Sequence, residues 1–348
     1  MPTKPLEALE SMVGDSRVTV EAFRIEPGKV AEFARAITSD DPVFREETAA
    51  AERGYDRVPA PPTYTQVGRF PRYTPDGIDG TGFDLGFRSE YVLHGEQAYE
   101  YERPVAVGDV LEGTTTLADV FQREGGRAGT MTFAVLETEY RDRDGDLVLT
   151  DRSTAIETSG AVGDGDGNGG GNGNSGGDIE DDTVDTTDGA APNGGTAASE
   201  RDMPSATGDE FERVRDVTEL AVGDAGPTVV VEDLEREQFV KYAGASGDFN
   251  PIHYDEPYAR AAGNESVFGQ GMFTAGITSR VITDWFALED ISRFGVRFQS
   301  RVFPGDTVVA TGEVVDVGRD AGTVETELEA TTRAGETLLT GSATAELE

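Results

Sequence analysis

The chain has no cysteine, one tryptophan, two histidines and, counting along the rows, three lysines (Lys4, Lys29 and Lys241) in 348 residues. Without cysteine it can form no disulfide, offer no thiolate nucleophile and build no cysteine metal site, and no metal site of any other kind is expected. No run of about 18 apolar residues occurs, and no basic-then-apolar leader opens the chain, so a cytoplasmic protein without a membrane partner is expected. Basic residues are scarce too. Lys and Arg number 29 against 67 Asp and Glu, a net charge of −38, and such a surface repels nucleic acid and anionic membranes.

What is present concentrates in residues 237–276, EQFVKYAGASGDFNPIHYDEPYARAAGNESVFGQGMFTAG. Phe239, Tyr242 and Ala243 recur at helical spacing, which predicts a short helix over 235–245 ended by Gly244 and Gly247. Asp248 follows where the chain leaves that helix. Pro251 biases Asn250 away from helical geometry, so 248–253 is expected to be an irregular turn that fixes the directions of its side chains. Within six residues it offers a carboxylate, an amide and an imidazole. Asp248 and His253 can divide acid and base work, and Asn250 can orient either partner or a water. The structural alternative is that Asp248 caps the turn, Asn250 closes an Asx-turn and His253 is a half-buried core residue. The other histidine, His94, begins a strand and is expected to be a surface or core residue.

SGDFNPIHYDEPYA resembles the signature of the MaoC-like, R-specific enoyl-CoA hydratase (hydratase 2) family, and FGQGMFTAG resembles the start of that family's hot-dog helix. The resemblance implies a hot-dog fold, a 2-enoyl thioester of CoA or a carrier protein as substrate, and reversible addition of water, with no metal or redox cofactor. It makes Asp248 and His253 the acid/base pair, Asn250 their orienter and the Gly271 N–H an oxyanion donor. Gly247, Phe268, Gln270 and Met272 are expected to touch substrate. The family more often has histidine where Gln270 stands. Acidity with so little lysine also resembles haloarchaeal proteins, in which high salt screens self-repulsion.

Turn signals and half-buried alternation organise the rest. A strand is predicted at 18–25, a helix at 29–38, and strands near 92–105, 109–121, 129–141 and 146–157. Residues 160–200 then hold 13 glycines, seven Asp, two Glu and no Lys or Arg, the composition of a disordered acidic linker. Without those nine acids the rest still carries −29. After it the pattern returns: a strand at 228–231, the helix at 235–245, an apolar helix at 271–286, and strands near 293–303, 306–317, 322–332 and 336–347.

Sliding the chain on itself by 209 places Ala34, Ala36, Pro42, Glu47, Ala50, Gly54, Val58 and Thr65 on Ala243, Ala245, Pro251, Glu256, Ala259, Gly263, Val267 and Thr274 without a gap. A shift of 197 brings Gly108-Asp109 onto Gly305-Asp306, and one of 190 brings Thr150 onto Thr340. The expected fold is therefore α+β, a tandem hot dog, each half a curved antiparallel sheet on a central helix. Its parts are a degenerate copy at 1–159, a linker at 160–205 and a catalytic copy at 206–348. In register, Ser39 falls opposite Asp248, Asp41 opposite Asn250, Phe44 opposite His253 and Pro62 opposite Gly271. Phenylalanine transfers no proton and proline has no N–H, so the first copy is expected to supply acyl space only.

The expected activity is interconversion of 2-enoyl-CoA and 3-hydroxyacyl-CoA, with an acyl-CoA partner and a possible homodimer. The alternatives are a hot-dog thioesterase, disfavoured because 271–286 has no acid before Asp284, and a noncatalytic acyl-binding protein. Arg280, Arg297 and Arg301 are available to CoA phosphates without an assignment among them.

Overall fold

The computed structural model describes residues 2–70, 82–88, 91–125, 129–158 and 213–347; the linker expected at 160–205 lies outside them. The first copy contributes helix α1 (Leu6–Glu10), strand β1 (Ser16–Arg24), helices α2 (Pro27–Ala36), α3 (Glu47–Glu52) and α4 (Gln66–Arg69), and strands β2 (Val92–Tyr101), β3 (Val110–Gly125), β4 (Gly129–Arg141) and β5 (Leu147–Glu157). The second contributes β6 (Val229–Val231), α5 (Arg236–Ser246), α6 (Glu256–Ala261), α7 (Gly271–Trp285), β7 (Ile291–Phe298), β8 (Val308–Gly318), β9 (Thr323–Thr332) and β10 (Thr337–Glu346).

The strands form one antiparallel sheet in the order β1-β3-β4-β5-β2-β7-β10-β9-β8-β6. Each copy supplies five, and β2 joins β7 at the centre, with Glu96 opposite Arg297, Ala98 opposite Gly295 and Glu100 opposite Arg293. Ala98 and Gly295 are also related by the shift of 197, so the copies meet about a pseudo-two-fold axis through that pair. Backbone conformation repeats with the register. Thr38 and its counterpart Gly247 are both left-handed, at φ 61° and 91°, and Gly108 and Gly305 both stand at 96°.

Alternation along β9 buries Val324, Thr326, Leu328 and Ala330 and exposes the residues between, as a sheet with one covered face requires. The cover is α7, whose Phe273, Ile277, Val281 and Ile282 are fully buried, each worth about 1.5–3 kcal/mol of transfer free energy. Here the two copies differ. The helix expected at the centre of the first copy is a four-residue stub, α4, whereas α7 has 15 residues. Gly276 of α7 lies against the first copy, since a Cβ there would come 2.4 Å from Ile37 Cγ2, so the long helix serves the shared core. The region before β1, which showed no pattern in sequence, carries α1 and buries Leu9 against Leu117 and Leu136 in a small separate cluster.

Candidate active site

α5 ends at Ser246, and Gly247, left-handed at φ 91°, turns the chain out of the helix. The Ser246 hydroxyl accepts the Asp248 N–H at 3.2 Å, and Asp248 Oδ1 accepts the Asn250 N–H at 3.3 Å. Pro251 to His253 then form one 3-10 turn, capped by Asn250 Oδ1, which accepts the Ile252 N–H at 3.2 Å. Asn250 thus makes the Asx-turn of the structural alternative: its side-chain oxygen serves the backbone, and its link to Asp248 runs through its own N–H.

His253 is buried at 8 % exposure, and its Nδ1 lies 2.8 Å from the Phe268 carbonyl. A carbonyl only accepts, so Nδ1 carries hydrogen and Nε2 is left for other work. Nε2 lies 3.8 Å from Asp248 Oδ2. That is too long for a direct hydrogen bond, yet short enough for both atoms to touch one oxygen placed between them at about 2.8 Å from each. The Phe268 ring packs edge-on against the imidazole, centroids 5.2 Å apart, and fixes its plane.

Gly271 is the first residue of α7, where N–H groups are left without intrahelical partners and the helix dipole favours negative charge. A Cβ at Gly271 would lie 3.2 Å from Phe298 Cε1, which sets how closely a ligand and this backbone can approach. Gln270 precedes it and is buried at 1 %. Its Nε2 reaches the Phe239 carbonyl at 3.2 Å and the Asp248 carbonyl at 3.5 Å, splinting α5 and the turn to the start of α7, while its Oε1 is buried without a partner. Met272 points into the core at 5 % exposure. No cluster of three or more His, Cys, Asp or Glu able to hold a metal occurs among the described residues.

Several first-copy residues near the site escaped the sequence reading. A Cβ at Gly247 would meet Phe70 Cβ at 3.1 Å, so the end of α4 lies over the turn. Lys29 Nζ donates to the Gly244 carbonyl at 2.9 Å, neutralising the last turn of α5. The His94 ring packs against that of Phe298, tilted by 54° with centroids 5.0 Å apart. Burial, then the charge of Arg69, pushes it down to about 3, so it is neutral at ordinary pH. Of the arginines left open for phosphate, Arg280 bonds the Thr38 hydroxyl at 2.8 Å inside the interface and Arg297 is paired with Glu96. Only Arg301 of the three lies beside the site, over the Phe268 ring at 5.0 Å.

Family models agree with this two-part build. Residues 11–151 match the "FAS1-like, dehydratase domain region", and residues 205–334 match the "MaoC like domain". A UPF0336 protein of Thermobifida fusca is 31% identical over 135 residues, 37% of this chain and 80% of that protein. The chain belongs to the MaoC-like dehydratase family. Its membership carries a general hydratase/dehydratase function. Mouse peroxisomal multifunctional enzyme type 2 is 36% identical over 92 residues, 26% of this chain and 12% of that enzyme. Among solved structures, a MaoC-like dehydratase superposes with TM-score 0.72 at 22% identity, covering 98% of this chain and all of that one. A Mycobacterium tuberculosis protein described as a double hot-dog fold superposes at 0.58 and 14% identity, covering 96% of each chain. The MaoC-like chain is thus a double hot dog, α+β as its sequence indicated. No helix among its described residues is long and apolar enough to cross a membrane.

Proposed function

We propose that this MaoC-like protein reversibly hydrates 2-enoyl-CoA thioesters to (R)-3-hydroxyacyl-CoA, with Asp248 and His253 as the acid/base pair. The observation that carries the reading is the 3.8 Å gap between His253 Nε2 and Asp248 Oδ2, with Nδ1 anchored on a carbonyl. A water held in that gap loses a proton to the pair as its oxygen bonds C3. The C2–C3 double bond becomes a single bond, negative charge collects on the thioester oxygen, and the pair returns a proton to C2 on the same face. The N–H of Gly271, at the positive end of α7, meets that oxygen. Gln270 and Asn250 hold the turn in register, Gly247 allows Phe70 close, and Phe268 aligns the imidazole and borders the substrate. Arg301, over the Phe268 ring, is the cation offered to a CoA phosphate.

In this reading residues 206–348 do the chemistry, 1–159 enclose the acyl group and 160–205 tether the two. Net charge of −38 with three lysines fits a cytoplasmic protein working in molar salt, where homodimers of the double hot dog can form despite self-repulsion.

The test is the ultraviolet absorbance of enoyl-CoA thioesters mixed with the purified full chain in molar KCl. The reading expects the conjugated absorbance to fall without release of free thiol and to return from the 3-hydroxyacyl side. Thiol release would make the protein a thioesterase, and no change with any enoyl thioester would make it a binding protein.

A further inference from the structure

Among the described residues the exposed aromatic side chains fall in one short stretch of chain: Phe249 at 48 %, Tyr254 at 37 % and Tyr258 at 36 %. The other large apolar residues exposed to that degree are all valines. Phe249 stands between Asp248 and Asn250, which puts its ring at the rim of the candidate site. Asp248 is the more open of the acid/base pair, with 21 % of its side chain exposed against 10 % for His253, so the site meets solvent on the Asp248 side. The Tyr254 hydroxyl donates to the Phe249 carbonyl at 3.2 Å, which folds the one residue back on the other. Tyr258 follows in α6, where Asp255 caps the helix by accepting the Tyr258 N–H at 3.1 Å.

Two arginines accompany the rings and share one acid. Arg236, the first residue of α5, reaches Glu256 Oε2 at 2.7 Å, and Arg260 of α6 reaches Oε1 at 2.9 Å. The Ser266 hydroxyl also donates to that carboxylate, at 3.0 Å. The two arginine side chains stay 46 % and 66 % exposed and make no other hydrogen bond among the described residues, so each guanidinium keeps donors for a second acceptor. Glu237 of α5 is paired with Lys241 at 2.8 Å, and Asp255 serves its cap.

The first copy shows that the scaffold needs none of these groups. By the shift of 209, Phe249, Tyr254 and Tyr258 fall on Asp40, Arg45 and Ala49, and Arg236 and Arg260 fall on Pro27 and Ala51, while Glu256 falls on Glu47. The same 3-10 turn, Pro42–Phe44, and the same six-residue helix, α3, form there without one exposed ring. Clustered rings left in water mark a contact surface. Because these rings accompany the catalytic turn and are missing from its silent counterpart, the contact belongs to the reaction. A planar base stacks on aromatic faces, and phosphates pair with guanidinium forks.

We propose that Phe249, Tyr254 and Tyr258 form the seat of the adenine of the substrate's CoA arm and that Arg236 and Arg260 take phosphates of the same nucleotide. A nucleotide-bearing thioester is therefore preferred to a truncated one. The proposal rests on the hydratase reading above. An acyl group inside the site leaves its carrier arm outside, and the rim that the arm crosses is Phe249. CoA carries more than one phosphate, so Arg301 at Phe268 and this pair serve one arm at different points.

The test compares kcat/KM of the full chain for crotonyl-CoA and for crotonyl-pantetheine, which has the same thioester and no nucleotide. Calorimetric binding of 3′-phospho-ADP is measured beside it at the same KCl concentration. Wild type is expected to favour the CoA thioester by at least about tenfold, toward the low end for a stacked base. Tyr258→Ala and Arg260→Gln lie outside the catalytic turn. Each is expected to cut that preference about threefold or more, through KM rather than kcat, and to weaken 3′-phospho-ADP binding, while Tyr258→Phe keeps the ring and restores both. Equal kcat/KM for the two thioesters in wild type, or variants that leave the preference intact or lower both thioesters alike, overturns the proposal and leaves the hydratase reading standing. A wild type that binds no nucleotide but loses an oligomer on Tyr258→Ala assigns the patch to a second copy of the chain instead. If wild type hydrates neither thioester, the hydratase reading fails and binding alone decides the seat: 3′-phospho-ADP bound by wild type and lost in Tyr258→Ala upholds it, and no binding overturns it.

Discussion

The turns at 38–44 and 247–253 have one backbone and two fates. Both leave a helix through a left-handed residue, Thr38 or Gly247, and both close a 3-10 turn with a side-chain oxygen: Asp41 Oδ1 accepts the Val43 N–H at 2.9 Å as Asn250 Oδ1 accepts that of Ile252. In the first copy the aligned carboxylate and its neighbours are tied into structure. Asp41 Oδ2 takes Arg53 at 2.5 Å and Arg213, from the start of the second copy, at 3.2 Å. Arg45 holds the Asp40 carbonyl, Arg280 of α7 holds the Thr38 hydroxyl, and Phe44 fills the core at 1 % exposure where the second copy has His253. The second turn keeps Asp248 Oδ2 and His253 Nε2 facing across a gap. A duplicated scaffold thus yields one candidate site and one clamp, and what separates them is which side chains occupy the acceptors, not the path of the chain.

The largest expected effect comes from giving the start of α7 the residue that stands opposite it in the first copy. Pro62 stands opposite Gly271, and proline is well tolerated at the first position of a helix. Gly271→Pro removes the N–H, while Gly271→Ala keeps it and adds the same Cβ against Phe298. Turnover of the proline variant is expected to be about 10²- to 10³-fold below that of the alanine variant, the range for losing one oxyanion donor. Equal turnover of the two folded variants would remove Gly271 from the mechanism.

Next in size is the clamp. Asp41→Ala strands Arg213 and Arg53, of which Arg213 is largely buried, and is expected to cost roughly 1–3 kcal/mol, below the figure for a fully buried pair. Denaturant unfolding measures it, and a loss under about 0.5 kcal/mol would reduce the first turn to ornament. The whole chain should then show its charge: melting temperature is expected to climb as KCl goes from dilute to molar, and a flat profile would contradict the high-salt reading.

The smallest effect concerns two equivalent β-turn carboxylates. Asp306 accepts the Phe303 N–H at 2.7 Å, and Asp109 accepts that of Ala106 at 3.0 Å but also pairs with Arg57 and Arg103. Burial alone would raise the Asp109 carboxyl, and the two arginines override it and hold it below the usual carboxylate value. A depressed folded value means stability that is complete above the unfolded value of about 3.9 and is lost as pH falls through the folded one. Asp109→Asn is expected to lower stability at neutral pH and flatten the acid limb of unfolding, and an unchanged limb would contradict the assignment.

Much of this was legible in sequence because it rests on periodicity and register. Alternation located β3, β4, β5, β8, β9 and β10, and the gapless shift of 209 predicted which residue of one turn faces which of the other. The departures have local causes. The register of β2 against β5 shifts between His94 and Glu96, so strand alternation alone did not decide between the surface and core readings of His94. Asn250 reads equally well as a catalytic amide or an Asx cap, and only the position of the Ile252 N–H separates the two. Arg280 looked available because its partner, Thr38, is 242 residues away in sequence.

The account stands most directly on a paired measurement of turnover and unfolding for Asp248→Asn, His253→Ala and Asp41→Asn at matched salt. Asp248→Asn and His253→Ala are expected to lower kcat by at least about a hundredfold with unfolding close to wild type, and Asp41→Asn to lower stability while each folded molecule still turns over. Turnover within about threefold of wild type in the first two, or a hundredfold loss confined to Asp41→Asn, would contradict the claim that chemistry resides in the second turn alone.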